Sequence, residues 1–187
     1  MNVNPTYIAL LRGINVSGQK IIRIEELKKM LEYLGFENVK SYIQSGNFVF
    51  NSKISNQEKI IKLIGNKIKE MFLFDVSVIL RTHNDLLKIL KNNPFVTNKP
   101  PERLYVAFLS DAVDKSCGKL LIPYKSKDEE FHIAENEIYL YYADGAGRTK
   151  LSNNIIETKL GVKATTRNWN TVNKLYELSH EPVNKEN

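Results

Sequence analysis

The sequence predicts an α+β protein built of two tandem units of the same βαββαβ order, closed by a C-terminal helix. Three observations predict it. The order strand, helix, strand, strand, helix, strand can be read twice along the chain. A stretch holding three prolines, NNPFVTNKPPER, separates the two readings. The first strand of each reading opens on matched residue classes, Tyr7-Ile8-Ala9-Leu10-Leu11 and Tyr105-Val106-Ala107-Phe108-Leu109. With 187 residues, 42% hydrophobic and 26% charged, the chain has room for one domain or two small ones, and collagen-like, low-complexity and wholly disordered chains are excluded.

Residues 6–12 (TYIALLR) form a short apolar run rich in strand formers, closed by Gly13 and followed by a polar loop over 14–20. Over 23–34, Ile24, Leu27, Met30, Leu31 and Leu34 recur at intervals of three and four, and Gly35 stands where a helix C-terminal cap belongs, so this is an amphipathic helix. Two strands, 39–44 and 47–51, flank Ser45-Gly46, a pair suited to a tight turn because glycine tolerates positive φ. Ser55 and Glu58 have capping-box spacing ahead of a helix carrying Ile60, Ile64 and Ile68, and 76–81 is the fourth strand. This is the split pattern of a ferredoxin-like sandwich, the alpha-beta plait.

Thr82 caps a trailing helix over 83–91, which completes a first unit at 1–91, and the prolines make 92–103 a linker. The pattern then restarts with a strand at 104–110, a short helix at 114–121, strands at 130–133 and 137–143, a helix at 152–160 ended by Gly161, and a strand at 163–167. A terminal helix over 171–179, capped by Asn170, closes the second unit at 104–180, and 181–187 reads as a frayed tail.

The 27 basic and 21 acidic residues leave a formal charge of +6, all of it in residues 1–92, which hold 14 basic and 8 acidic side chains. Such an excess attracts anions, with nucleic acid, nucleotides and acidic headgroups as candidates. Lys59, Lys62, Lys67 and Lys69 share one expected helix, where a lysine-rich face is ordinarily just solvated. No apolar run approaches the roughly 18 residues that span a bilayer, and the start lacks the basic segment of a secretory signal. The single cysteine, Cys117, fits a reducing compartment, so the expectation is a cytoplasmic protein with no membrane partner.

The runs YIALLRGINV, YIQSGNFVF, GRTKLSN and ATTRNWNTVNKLYEL carry a resemblance. The chain is identified as a member of the bacterial domain-of-unknown-function family 1697, and the likeness runs from about Pro5 to Leu178. The resemblance implies two ferredoxin-type units in tandem and no established activity. Where a glycine pair often follows RGINV, this chain has Ser17-Gly18.

In a ferredoxin-like unit of sheet order 4-1-3-2, the end of the first strand and the turn between the second and third strands lie at one edge. Arg12, Asn15 and Ser17 should therefore face Gln44, Ser45 and Asn47. At the opposite edge of the second unit, Gly145, Gly147, Arg148, Lys150, Ser152 and Asn153 should gather with Arg167 and Asn168. One reading is that one or both clusters hold an anion, through guanidinium forks and the N–H groups of a helix start at Ser152 or Thr171. The other is that the asparagines and serines satisfy turns and caps while Arg12 and Arg167 bridge the units. GAGRTKLS lacks the spacing of a Walker sequence.

A second functional reading is RNA or single-stranded DNA binding through the sheets, since LYVAFL and GNFVF partly match RNA-recognition strand signatures. Aromatics at alternating strand positions are core residues far more often than base platforms, which makes Tyr7, Tyr105 and Phe48 candidates for the core. An enzyme of unidentified reaction comes third. His83, His132 and His180 are isolated in sequence, Cys117 has no histidine near it, and the acidic run from Asp128 to Glu137 has no ligand spacing, so no metal and no cofactor are expected. Trp169 should anchor the last helix. The expectation is an uncharacterised binding module for an anionic small molecule, of undefined oligomeric state.

Overall fold

The computed structural model describes residues 4–16 and 20–180. Ser17 and the expected tail over 181–187 lie outside the described residues. The fold is α+β, with two four-stranded antiparallel sheets. The first unit runs up to Leu87 and takes in the chain from Lys174; the second is Lys88–Asn173.

In the first unit the elements are β1 (Thr6–Leu11), α1 (Ile24–Tyr33), β2 (Glu37–Ser41), β3 (Asn47–Asn51), α2 (Gln57–Phe72), β4 (Val78–Thr82) and the start of α3 (His83–Asn92). The sheet order is β2-β3-β1-β4. β1 is a near-continuous apolar run because it is central and buried on both faces. Its Tyr7, Ala9 and Leu11 face is in register with Phe50, Phe48 and Leu80. That face forms one core with Leu27, Met30 and Leu31 of α1 and Ile60, Ile64 and Ile68 of α2. Phe36 stacks on Phe50 at 4.4 Å between ring centroids. The cap of α2 is Asn56, whose side chain accepts from Lys59 N at 2.9 Å, one residue after the expected Ser55. Thr82 does cap α3: its Oγ1 accepts from Asp85 N, and the Asp85 carboxylate accepts from Thr82 N at 2.8 Å.

The second unit repeats the order as β6-β7-β5-β8, from β5 (Leu104–Leu109), β6 (Glu130–Ala134), β7 (Glu137–Tyr141) and β8 (Ala164–Asn168), with α4 (Asn153–Leu160) and the start of α5 (Trp169–His180). Ala107, Leu109, Ile138, Leu140 and Ile156 meet in its core. The helix expected over 114–121 is instead a pair of 3₁₀ turns, Lys115–Leu120 and Ile122–Tyr124. Gly118 weakens a helix and Pro123 removes the N–H that would continue it. Residues 92–103, expected as a linker, lie within the second unit and end in a 3₁₀ turn, Pro101–Arg103. α5 begins at Trp169, directly after β8, so Asn168 rather than Asn170 caps it, its Oδ1 accepting from Asn170 N at 2.9 Å.

The histidines, isolated in sequence, are not all isolated in space. Within the first unit His83, at the start of α3, stacks on Tyr176 and His180 of α5 at 4.7 and 5.2 Å. Ser179 Oγ donates to Tyr176 O at 2.7 Å, so the 2.9 Å contact with His83 Nδ1 has the imidazole as donor. Burial, and secondarily the neighbouring His180, hold the His83 pKa below its ordinary value of 6.5. A lowered folded-state pKa means that the unfolded chain takes up the proton first, so this stability is present above about pH 6.5 and is lost on acidification below it. The melting temperature of the wild type should therefore fall more between pH 7.5 and 5.5 than that of His83→Gln; equal falls contradict the assignment.

Candidate functional site

Two loops of the first unit converge, as the strand order requires. Leu11 N donates to Gly46 O at 2.8 Å, which fastens the end of β1 to the turn between β2 and β3. Asn15 then bridges the two: its Nδ2 donates to Gln44 O and to Ile22 O, both at 2.9 Å, while its Oδ1 accepts from Ile22 N at 2.8 Å. Asn47 is fully buried, and its Nδ2 donates to Tyr42 O and Ser45 Oγ at 3.0 Å, closing the turn from within. Asn15, Ser45 and Asn47 are thus committed to holding the loops. Arg12 is half-buried, with its backbone N–H on Ser77 O at 2.9 Å.

These loops wall a cleft of about 620 Å³ whose lining includes Asn15, Ile21, Arg23, Glu25, Ile43 and Gln44. That volume is within the usual range for a small-molecule site. Arg23 occupies the cap position of α1 and makes no side-chain cap, because a guanidinium cannot accept a hydrogen bond. Arg23, Ile24 and Glu25 all line the cleft, so the start of α1 forms part of its wall, with the positive charge of Arg23 beside the carboxylate of Glu25. Arg23, Ile21, Ile43 and Gln44 are exposed. The sequence reading missed Arg23, Ile21 and Ile43; the signal for Arg23 was a helix start lacking Ser, Thr, Asp or Asn.

The second cluster assembles less completely. Tyr142 N donates to Arg103 O, and Tyr142 Oη donates to Leu151 O at 2.7 Å, so the loop between them is tied at both ends. Burial pushes the Tyr142 phenol pKa far up, which keeps this donor protonated. A Cβ on Gly145 would lie 2.8 Å from Arg103 Nη1, so that guanidinium lies over the glycine. Asn168 Nδ2 donates to Glu102 O at 3.2 Å beside the same segment. Arg148, Lys150 and Ser152 are exposed. Arg167 is not with them: it is buried on the sheet, in register with Val106, and its Nη1 donates to Thr165 Oγ1 and Thr166 O. Arg81 occupies the matching position in the first unit, opposite Ile8, with Nη1 on Leu80 O. The repeated Arg-polar-x-Asn at 81–84 and 167–170 was the overlooked signal of this shared device.

The rings considered as base platforms are core residues: Tyr7, Phe48 and Phe50 are buried in the first unit, and Tyr105 packs half-buried on the second core. Trp169 is buried at the first turn of α5, as an anchor should be. Among the described residues, no three His, Cys, Asp or Glu gather closely enough to hold a metal ion, and no helix is long and apolar enough to cross a membrane.

A family model described as "Protein of unknown function (DUF1697)" matches residues 5–139. The chain belongs to this family. Among solved structures, the conserved bacterial protein SP0830 from Streptococcus pneumoniae is similar at 24% identity, over 94% of this chain and 98% of that one, with a TM-score of 0.73. That likeness concerns the fold. No curated protein matches. For this DUF1697 chain the junction of the two loops carries a direct test. Gly46 has φ +76° and an added Cβ would meet Ile14 and Leu11 at 2.7–2.9 Å, so Gly46→Ala should destabilise the protein by about 2–4 kcal/mol in denaturant unfolding, whereas Gly147→Ala, in open space, should be nearly neutral.

Proposed function

We propose that this protein is a cytoplasmic binding module made of two ferredoxin-like plaits, and that it takes a small anion in the cleft of the first unit. One observation carries the reading: the second unit closes the same scaffold without the arginine, the bridging asparagine or the longer turn of the first. There Leu109 N donates to Asn136 O as Leu11 N does to Gly46 O, and Ser110 N donates to Lys163 O as Arg12 N does to Ser77 O. Ser110 thus occupies the place of Arg12, and Val113 that of Asn15. The turn there has two residues, Glu135 and Asn136, where the first unit has five, from Tyr42 to Gly46. The fold alone does not call for the longer turn, its asparagine bridges or the cleft they open. Loops elaborated on a rigid sheet are where binding groups ordinarily sit.

The charge supports an anion. Arg23 favours negative charge and the basic excess of the chain lies in this half, while the positive start of α1 is offset by Glu25 and Glu26 in its first turn. Glu25, on the cleft wall, favours a ligand of low charge. Titration of the full chain with sodium acetate or phosphate at constant ionic strength, followed by amide chemical shifts, should give saturable changes at Ile24, Glu25 and Gln44, and Arg23→Ala should weaken binding about tenfold or more. Changes that do not saturate, or that centre on Arg148 and Lys150, would refute the assignment to this cleft.

A further inference from the structure

Part of the rim of the cleft is apolar, where a plain anion site needs no apolar surface. Ile21 is 72% exposed and Ile43 is 51% exposed, and both line it. Ile43 has φ 51°, and it is the one β-branched residue among the described non-glycine residues with positive φ. The left-handed region is penalised for every L-residue and most for those branched at Cβ, so glycine or asparagine would hold this turn more comfortably. Burial does not offset that strain, since half of the side chain stays in water. Backbone strain of this kind occurs where geometry serves a site, and here it sets an apolar side chain in the wall of the cleft that Arg23 also lines.

We propose that the ligand of this cleft is a monocarboxylate with a short alkyl body, whose carboxylate meets Arg23 and whose alkyl part covers Ile21 and Ile43; this rests on the anion reading above. A guanidinium fork matches the two oxygens of a carboxylate. Glu25 beside it penalises a dianion more than a monoanion, which favours a carboxylate over a phosphate ester. An alkyl body withdraws both isoleucines from water, a gain that rises with each methylene buried.

The experiment is an amide-shift titration of the full chain with acetate, butyrate and hexanoate at fixed ionic strength, on the wild type, Ile43→Gly and Ile21→Ser. In the wild type the Kd should fall about two- to fourfold per methylene, the upper figure being full burial. Ile43→Gly should raise the melting temperature and lose most of the gain with chain length; Ile21→Ser should lose part of that gain. Binding that does not improve with chain length overturns the alkyl body while the anion reading stands. Improvement that both variants retain in full removes the isoleucines from the site. Absence of saturable binding by acetate and its homologues overturns this inference, and the anion reading falls with it only when phosphate does not saturate the same amides either.

Discussion

The bridge made by Asn15 is the constraint on which the first unit's distinctive surface depends. One side-chain amide serves three partners, Gln44 O, Ile22 O and Ile22 N, and so ties the loop after β1 to the turn after β2 and to the approach of α1. An amide is suited to this because it donates and accepts at once, and because asparagine tolerates the left-handed backbone that it adopts here, φ 53°. Without the bridge, the longer turn and the segment before α1 would keep only their links to the sheet, and the cleft between them would have no fixed width.

Beneath that elaboration lies a scaffold written twice. Each unit places an apolar strand at the centre, packs one face under helices, and puts an arginine on its fourth strand opposite the same central position, Arg81 across from Ile8 and Arg167 across from Val106. In both, a guanidinium nitrogen donates to the carbonyl of the preceding residue. A buried charge is tolerated only with partners, so these arginines belong to the structure of the sheets. The second unit is the economical version, with a two-residue turn and valine where the first has asparagine, and the contrast separates what the fold requires from what the first unit adds.

Much of this was readable along the chain. Periods of two and near 3.6 placed the strands and most helices, and the strand order then brought the RGIN loop to the SGN turn. Other features lay beyond local pattern. Asn56 and Ser55 are adjacent residues able to cap, and only the chain's path selects the first. Residues 114–121 have helical spacing, but Gly118 and Pro123 tip so short a segment into 3₁₀ turns. His83 and His180 meet although 97 positions apart, because the last turns of α5 belong to the first unit. Arg23 and Ile43 looked ordinary until the backbone showed one at an uncapped helix start and the other in a conformation unfavourable to isoleucine.

Amide hydrogen exchange of Asn15→Ala is the most direct examination of the account. If the asparagine staples an addition onto a self-sufficient sheet, protection should be lost at Ile22 and in the turn from Tyr42 to Gly46, while the amides pairing β1 with β3 and β4 exchange as slowly as in the wild type. Loss of protection throughout the first sheet, or undiminished protection at Ile22, would contradict it.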